Sequence, residues 1–170
     1  VNSINVDSLI VDIEYLFSNF NAQNADSEFT VDINIPALAV PTDSDKYNSY
    51  LTYLSGDQIF DIYDKYGKRL LEQNVRTFLQ FKGGVNKGIR NTINSAPEMF
   101  FAYNNGITAT ASSVEINNKN EIVKIYNLQI VNGGQTTSSI YAAKKNFKAD
   151  ISKINVQMKL SVINDSKDHS

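Results

Sequence analysis

Leu128-Gln129-Ile130-Val131-Asn132-Gly133-Gly134-Gln135-Thr136-Thr137-Ser138-Ser139 is the stretch on which the reading of this chain turns. Four residues of β character run into a glycine pair, and an alanine-containing segment of helical character follows, Thr136 to Lys145. Strand, glycine turn and helix in that order can cradle an anion. Glycines 133 and 134 let the backbone take positive φ and approach a ligand closely, while the first NH groups of the helix and the hydroxyls of Thr136, Thr137 and Ser138 supply donors. The plainer reading is a tight turn with Thr136 capping the helix. The lysine of a phosphate-binding P-loop and the third glycine of the dinucleotide fingerprint are both missing, so neither motif is present.

Working outward, the flanking segments alternate between helical and strand patterns. Leu9, Ile10, Ile13, Leu16, Phe17 and Phe20 recur at helical spacing, which predicts an amphipathic helix over Val6 to Phe20. Phe29, Val31, Ile33 and Ile35 alternate as a half-buried strand ended by Pro36, and a loop spans Pro41 to Lys46. Tyr47 to Leu54 is a further strand. Ser55-Gly56-Asp57-Gln58 has the spacing of a capping box, so a helix carrying Ile59, Ile62, Tyr63 and Tyr66 starts there, with Gly67 as its left-handed close. Lys68 to Phe81 is ambiguous between helix and irregular structure. Asn86 to Asn94 and the segment after Pro97 read as short helices, and Gly106–Ile116 with Ile122–Val131 as a hairpin about Asn117 to Asn120.

The last strand alternates Ile154, Val156, Met158, Leu160 and Val162, and nothing follows to cover its other side. The expected architecture is therefore α+β: a mixed or antiparallel sheet packed against several short helices, in one domain over 1–170. Residues 1–54 supply an N-terminal helix and strands, 55–170 carry the motifs, and the unfinished closure suggests a piece of a longer chain.

Composition narrows the chemistry. The 170 residues are 42% hydrophobic and 20% charged, contain no cysteine, and have one histidine, His169. Thiolate nucleophiles and cysteine zinc sites are excluded, and a histidine-based triad would need residues from elsewhere; no metal site is expected. A net charge of -2 does not fit a domain that coats nucleic acid by bulk electrostatics. Two local basic groups stand out, Lys82, Lys87 and Arg90, and Lys144, Lys145 and Lys148, each readable as solvated lysine. Asp12, Glu14 and Glu121 lack matched partners at a metal-binding spacing and read as surface charge. No run is long and apolar enough for a membrane helix and no secretory leader is evident, so a cytoplasmic location and no membrane partner are expected.

Two further constellations accompany the glycine turn. Tyr103-Asn104-Asn105-Gly106 offers paired amides, or simply the turn chemistry of Asn-Gly. Asn74-Val75-Arg76 offers a guanidinium among apolar neighbours, as an anion clamp or a structural pair.

At these three places the chain resembles the AIPR family of bacterial abortive-infection, phage-resistance proteins. The matching stretches are GKRLLEQNVRTFLQ at Gly67 to Gln80, VNKGIRNTINSAPEMFFAYNNGIT at Val85 to Thr108, and LQIVNGGQTTSSIYAA at Leu128 to Ala143. The resemblance implies a longer full protein, of which these residues are a central or N-proximal piece, and nuclease-like regions in some members. A more distant likeness is to ParB and sulfiredoxin-like domains, where a glycine-containing box between strand and helix holds nucleotide phosphate; the box's usual arginine is absent here. The expected ligand is a phosphate-bearing nucleotide or nucleic acid at Asn132, Gly133, Gly134, Gln135, Thr136 and Thr137, supported by Asn74, Arg76, Arg90, Asn104 and Asn105. The competing expectations are a nuclease or nucleotide hydrolase whose acids lie partly outside the chain, and a scaffold that senses a phage protein.

Overall fold

The computed structural model describes residues 28–71 and 86–163. The expected helix at Val6 to Phe20 lies outside them, as do Asn74 and Arg76.

Eight strands form two sheets, and four α-helices accompany them among the described residues. In chain order these are β1 (Thr30–Pro36), β2 (Leu38–Val40), β3 (Tyr47–Ser55), α1 (Gly56–Tyr66), α2 (Lys87–Ser95), α3 (Phe100–Tyr103), β4 (Ile107–Ala111), β5 (Ser113–Ile116), β6 (Glu121–Tyr126), β7 (Gln129–Asn132), α4 (Gly134–Phe147) and β8 (Asn155–Ile163). The first sheet is antiparallel in the order β1-β6-β5, and the second is mixed in the order β2-β3-β8-β4-β7. Among the described residues only the β4–β8 pairing is parallel. The fold is α+β, as the alternation of patterns implies.

β8 is the middle strand of the larger sheet. Its alternating residues Val156, Met158, Leu160 and Val162 are buried, and register puts them on the same face as Leu54 of β3 and Ile107, Ala109 and Ala111 of β4. Ile59 and Ile62 of α1 and Ile140 and Ala143 of α4 belong to the same core, which also takes in Val31, Ile35, Ile122 and Ile125 of the smaller sheet.

The capping box of α1 is present in full: Ser55 Oγ accepts from Gln58 N at 3.2 Å, and Gln58 Oε1 accepts from Ser55 N at 2.9 Å. The far end of this helix departs from expectation. Gly67 has φ of -7°, outside the left-handed region, and the chain tightens into a 3-10 turn over Gly67–Leu71. The reason is burial: the turn puts Leu70 and Leu71 in the core, and Gln129 Nε2 donates to Arg69 O at 2.7 Å to hold it against β7.

The expected single hairpin is also revised. Gly106–Ile116 and Ile122–Val131 each break in the middle, at Ser112 and Asn127, and divide between the two sheets. Asn127 is left-handed with φ of 52°, a conformation asparagine tolerates better than most residues. Its buried side chain accepts from Phe29 N at 2.9 Å and donates to Ser112 Oγ at 3.1 Å, so one amide ties both breaks to the start of β1. The hairpin β5–β6 is retained in the small sheet, and β4 pairs with β7 in the large one.

A polar and aromatic seam joins α1 to α4. Tyr141 stacks on Phe60 with ring centroids 5.2 Å apart and donates to Asp64 at 2.9 Å, while Lys144 pairs with Asp57 at 2.8 Å. Burial holds the Tyr63 phenol above its ordinary value of 10.0, and the bond to Asp64 does the same for Tyr141. The unfolded chain therefore loses these protons first, so stability is retained below pH 10.0 and falls as pH rises from there through the folded values. Urea midpoints measured against pH should show that fall, and Tyr141→Phe should make it shallower. Removing the α1 cap with Ser55→Ala should lower stability by about 1 kcal/mol in the same assay.

Candidate functional site: two interlocked glycine turns

β4 and β7 lie side by side with Thr108 opposite Asn132, so the turn that precedes β4 and the turn that follows β7 meet at one end of the sheet. Both contain a glycine at positive φ, 81° at Gly106 and 86° at Gly133. A Cβ on Gly133 would stand 2.5 Å from the carbonyl oxygen of Gly106, and one on Gly106 would stand 2.6 Å from that of Gln157. Glycine is thus required twice at each turn, for backbone conformation and for space.

Helix α4 begins at Gly134, two residues before the expected start at Thr136. Gly133 is its N-cap, and among the described residues no side chain caps it. Thr136 is therefore not the cap; it sits buried inside the first turn. The first intrahelical bond runs from Thr137 N to Gly133 O at 3.1 Å. Without a capping side chain, the NH groups of Gly134, Gln135 and Thr136 mark the positive end of a 14-residue helix dipole. Gln135 and Asn132 are exposed at this mouth, and Asn132 Oδ1 turns back to accept from Gly133 N at 2.8 Å.

The hydroxyls behave differently from the expectation that they face a ligand. Thr137 Oγ1 donates to Gly133 O at 3.1 Å, Ser138 Oγ donates to Gln135 O at 3.2 Å, and Thr136 Oγ1 is bonded to the Asn104 amide. All three complete the turn internally. Thr136 and Thr137 are only 7% and 2% exposed, which explains why they bond to protein rather than solvent.

Asn104 is the joint between the two turns. Its Oδ1 accepts from Gly106 N at 2.9 Å, the local bond that makes an asparagine turn, and its Nδ2 donates across to Thr136 Oγ1 at 3.2 Å. The Asn-Gly motif therefore makes a turn, as its plainer reading has it, and the same asparagine also reaches the glycine turn after β7. Asn105 is exposed beside it. A cleft of about 220 Å³ ends at Asn104, between Ile89 and Thr92 of α2 and Phe100 and Tyr103 of α3. The sequence pattern alone gave no sign of this cleft, because α2 and α3 join it only by tertiary packing.

Arg90 is not brought to the mouth. Its guanidinium lies 4.0 Å over the ring of Phe147, the last residue of α4. That is roughly 20 Å from Gly134 at the helical rise per residue. The lysine group at the end of the same helix is engaged too: Lys144 pairs with Asp57, and Lys145 lies 3.4 Å from Asp64. Among the described residues no three His, Cys, Asp or Glu side chains gather as a metal site, and no helix is long and apolar enough to cross a membrane.

The interlock predicts two outcomes. Gly133→Ala should destabilise the domain by more than about 1 kcal/mol in a denaturation titration, because the new Cβ meets both a positive φ and the Gly106 carbonyl. A double-mutant cycle of Asn104→Ala with Thr136→Val should show a coupling energy of about 0.5 kcal/mol or more; independent effects would mean the 3.2 Å bond carries nothing.

No curated protein and no solved structure matches the chain, so the likeness to ParB and sulfiredoxin-like domains rests on the strand-turn-helix pattern alone. The family model described as AIPR protein matches residues 71–170, which take in α2, the Asn104 and Gly133 turns and β8. With 100 of its 170 residues matched, the chain belongs to the AIPR family, the abortive-infection phage-resistance proteins.

Proposed function

We propose that this part of the phage-resistance protein is a binding module for a phosphate-bearing ligand, a nucleotide or a nucleic-acid end, held at the mouth of α4. The observation that carries the reading is the uncapped helix start: Gly133, left-handed and wedged against Gly106, leaves the first turn with no capping side chain among the described residues. An anion there is favoured by the helix dipole and by direct NH donation. Exposed Asn132, Gln135 and Asn105 orient it, and the cleft ending at Asn104 gives room for the rest of the ligand. Asn74 and Arg76, outside the described residues, remain part of the proposed pocket, with Arg76 as its source of positive charge; Arg90, stacked on Phe147, does not.

A structural reading is favoured by a different observation, the internal bonding of Thr136, Thr137 and Ser138. On that reading the motifs make a rigid scaffold on which a phage protein is sensed. On a third reading, a nuclease or nucleotide hydrolase, the catalytic acids would lie partly outside this chain.

Thermal denaturation with a panel of nucleotides and short DNA and RNA separates these. A ligand at a hundred times its dissociation constant should add about 2.7 kcal/mol of stability, and the effect should weaken with salt. Gln135→Glu supplies the control, since a carboxylate in the first turn stabilises the helix yet repels an anionic ligand. A more stable variant that no longer responds to the ligand is the expected result. No response from the unsubstituted protein to any member of the panel would leave the scaffold reading in place.

A further inference from the structure

The larger sheet has a second face, and its β2–β3 side carries exposed apolar side chains. Register places Leu38 of β2, Leu51 and Tyr53 of β3 and Gln157 and Lys159 of β8 together on the side opposite the core. Leu38 is 63% exposed, Tyr53 48% and Phe101 of α3 50%, and with Gln157 they line an open groove of about 340 Å³. A patch of this kind on a sheet face normally has an occupant.

We propose that the occupant is the N-terminal segment of this same chain, residues 9–20, laid across β2 and β3 by its apolar stripe. Twenty-seven residues precede Glu28, and within them Leu9, Ile10, Ile13, Leu16, Phe17 and Phe20 fall on one helical stripe that needs an apolar surface. The reach is sufficient. The groove lies at the Pro36 end of β1, about 20 Å from where that strand begins at Thr30, and the polar residues Asn21 to Ser27 span roughly 23 Å when extended. Charge agrees with the pairing: Asp12 and Glu14 flank the stripe, and Lys159 stands exposed on the sheet face beside Leu51. This docking covers the face that the last strand leaves open, and it contacts Phe101, three residues before the Asn104 joint.

The chain has no cysteine, so engineered pairs report contact without background. In the full chain, Ile13→Cys or Phe17→Cys would be combined in turn with Leu51→Cys or Tyr53→Cys, and with Ile116→Cys as control. Ile116 is also exposed and apolar but belongs to the other sheet. Mild oxidation should give a disulfide within the monomer for the sheet-face pairs and not for the control. In parallel, the Ile13→Asp/Phe17→Asp variant should show amide exchange at least about tenfold faster over Leu38–Val40 and Leu51–Tyr53. Disulfides formed between chains would assign the groove to a second copy. That result, equal bonding at Ile116, or unchanged exchange in the double variant would overturn the proposal.

Discussion

The close approach of Gly133 to the carbonyl of Gly106, which leaves no room for a Cβ, is the constraint on which this end of the molecule depends. It brings the exit of β7 and the entry of β4 to one point, and it fixes where α4 must begin. Neither glycine has freedom to vary, since each combines a positive φ with a neighbouring backbone oxygen too close for a side chain. Rigid placement of this kind is what a binding turn requires, and equally what a scaffold requires. The chemistry of the site therefore follows from a packing fact before it follows from any polar side chain.

Around that contact, polar groups divide into those that build the turn and those left to face outward. Asn104, Thr136, Thr137 and Ser138 build it, by hydrogen bonds made within the two turns. Gln135 and Asn105 are exposed, as is Asn132 although its Oδ1 bonds back to Gly133 N, alongside the amides of a helix with no side-chain cap among the described residues. Buried hydroxyls find protein partners because an unmet one is costly, whereas amides at a helix mouth have solvent or a ligand as their natural acceptor.

A second polar device determines the sheets. Asn127 occupies a left-handed position at the point where a continuous β-rich run changes sheets, and its amide bonds to Phe29 N on one side and Ser112 Oγ on the other. The two sheets share one core because the strands cross there instead of continuing as a longer hairpin. This places β4 next to β8 in a parallel pairing, and so carries the Asn104 turn to the same sheet end as Gly133.

The α+β class, the capping box at Ser55, the alternation of β1 and β8 and the glycine turn between β7 and α4 were legible in the residues, because each depends on interactions within a few positions of sequence. The family was legible in the same way, from Gly67 to Ala143, and the match over residues 71–170 bears it out. Only tertiary structure decided the rest. Asn127 and Ser112 look like ordinary members of β-rich runs until Phe29 is brought to them, and Gly67 resembles a left-handed stop until Leu70 and Leu71 are seen to need the core. Arg90 and the Gly133 mouth are both on or beside α4, yet at opposite ends of it, a separation no spacing in sequence conveys. Local hydrogen bonds and side-chain periodicity are written along the chain, whereas the meeting of Asn104 with Thr136, across 32 residues, exists only once β4 and β7 have paired.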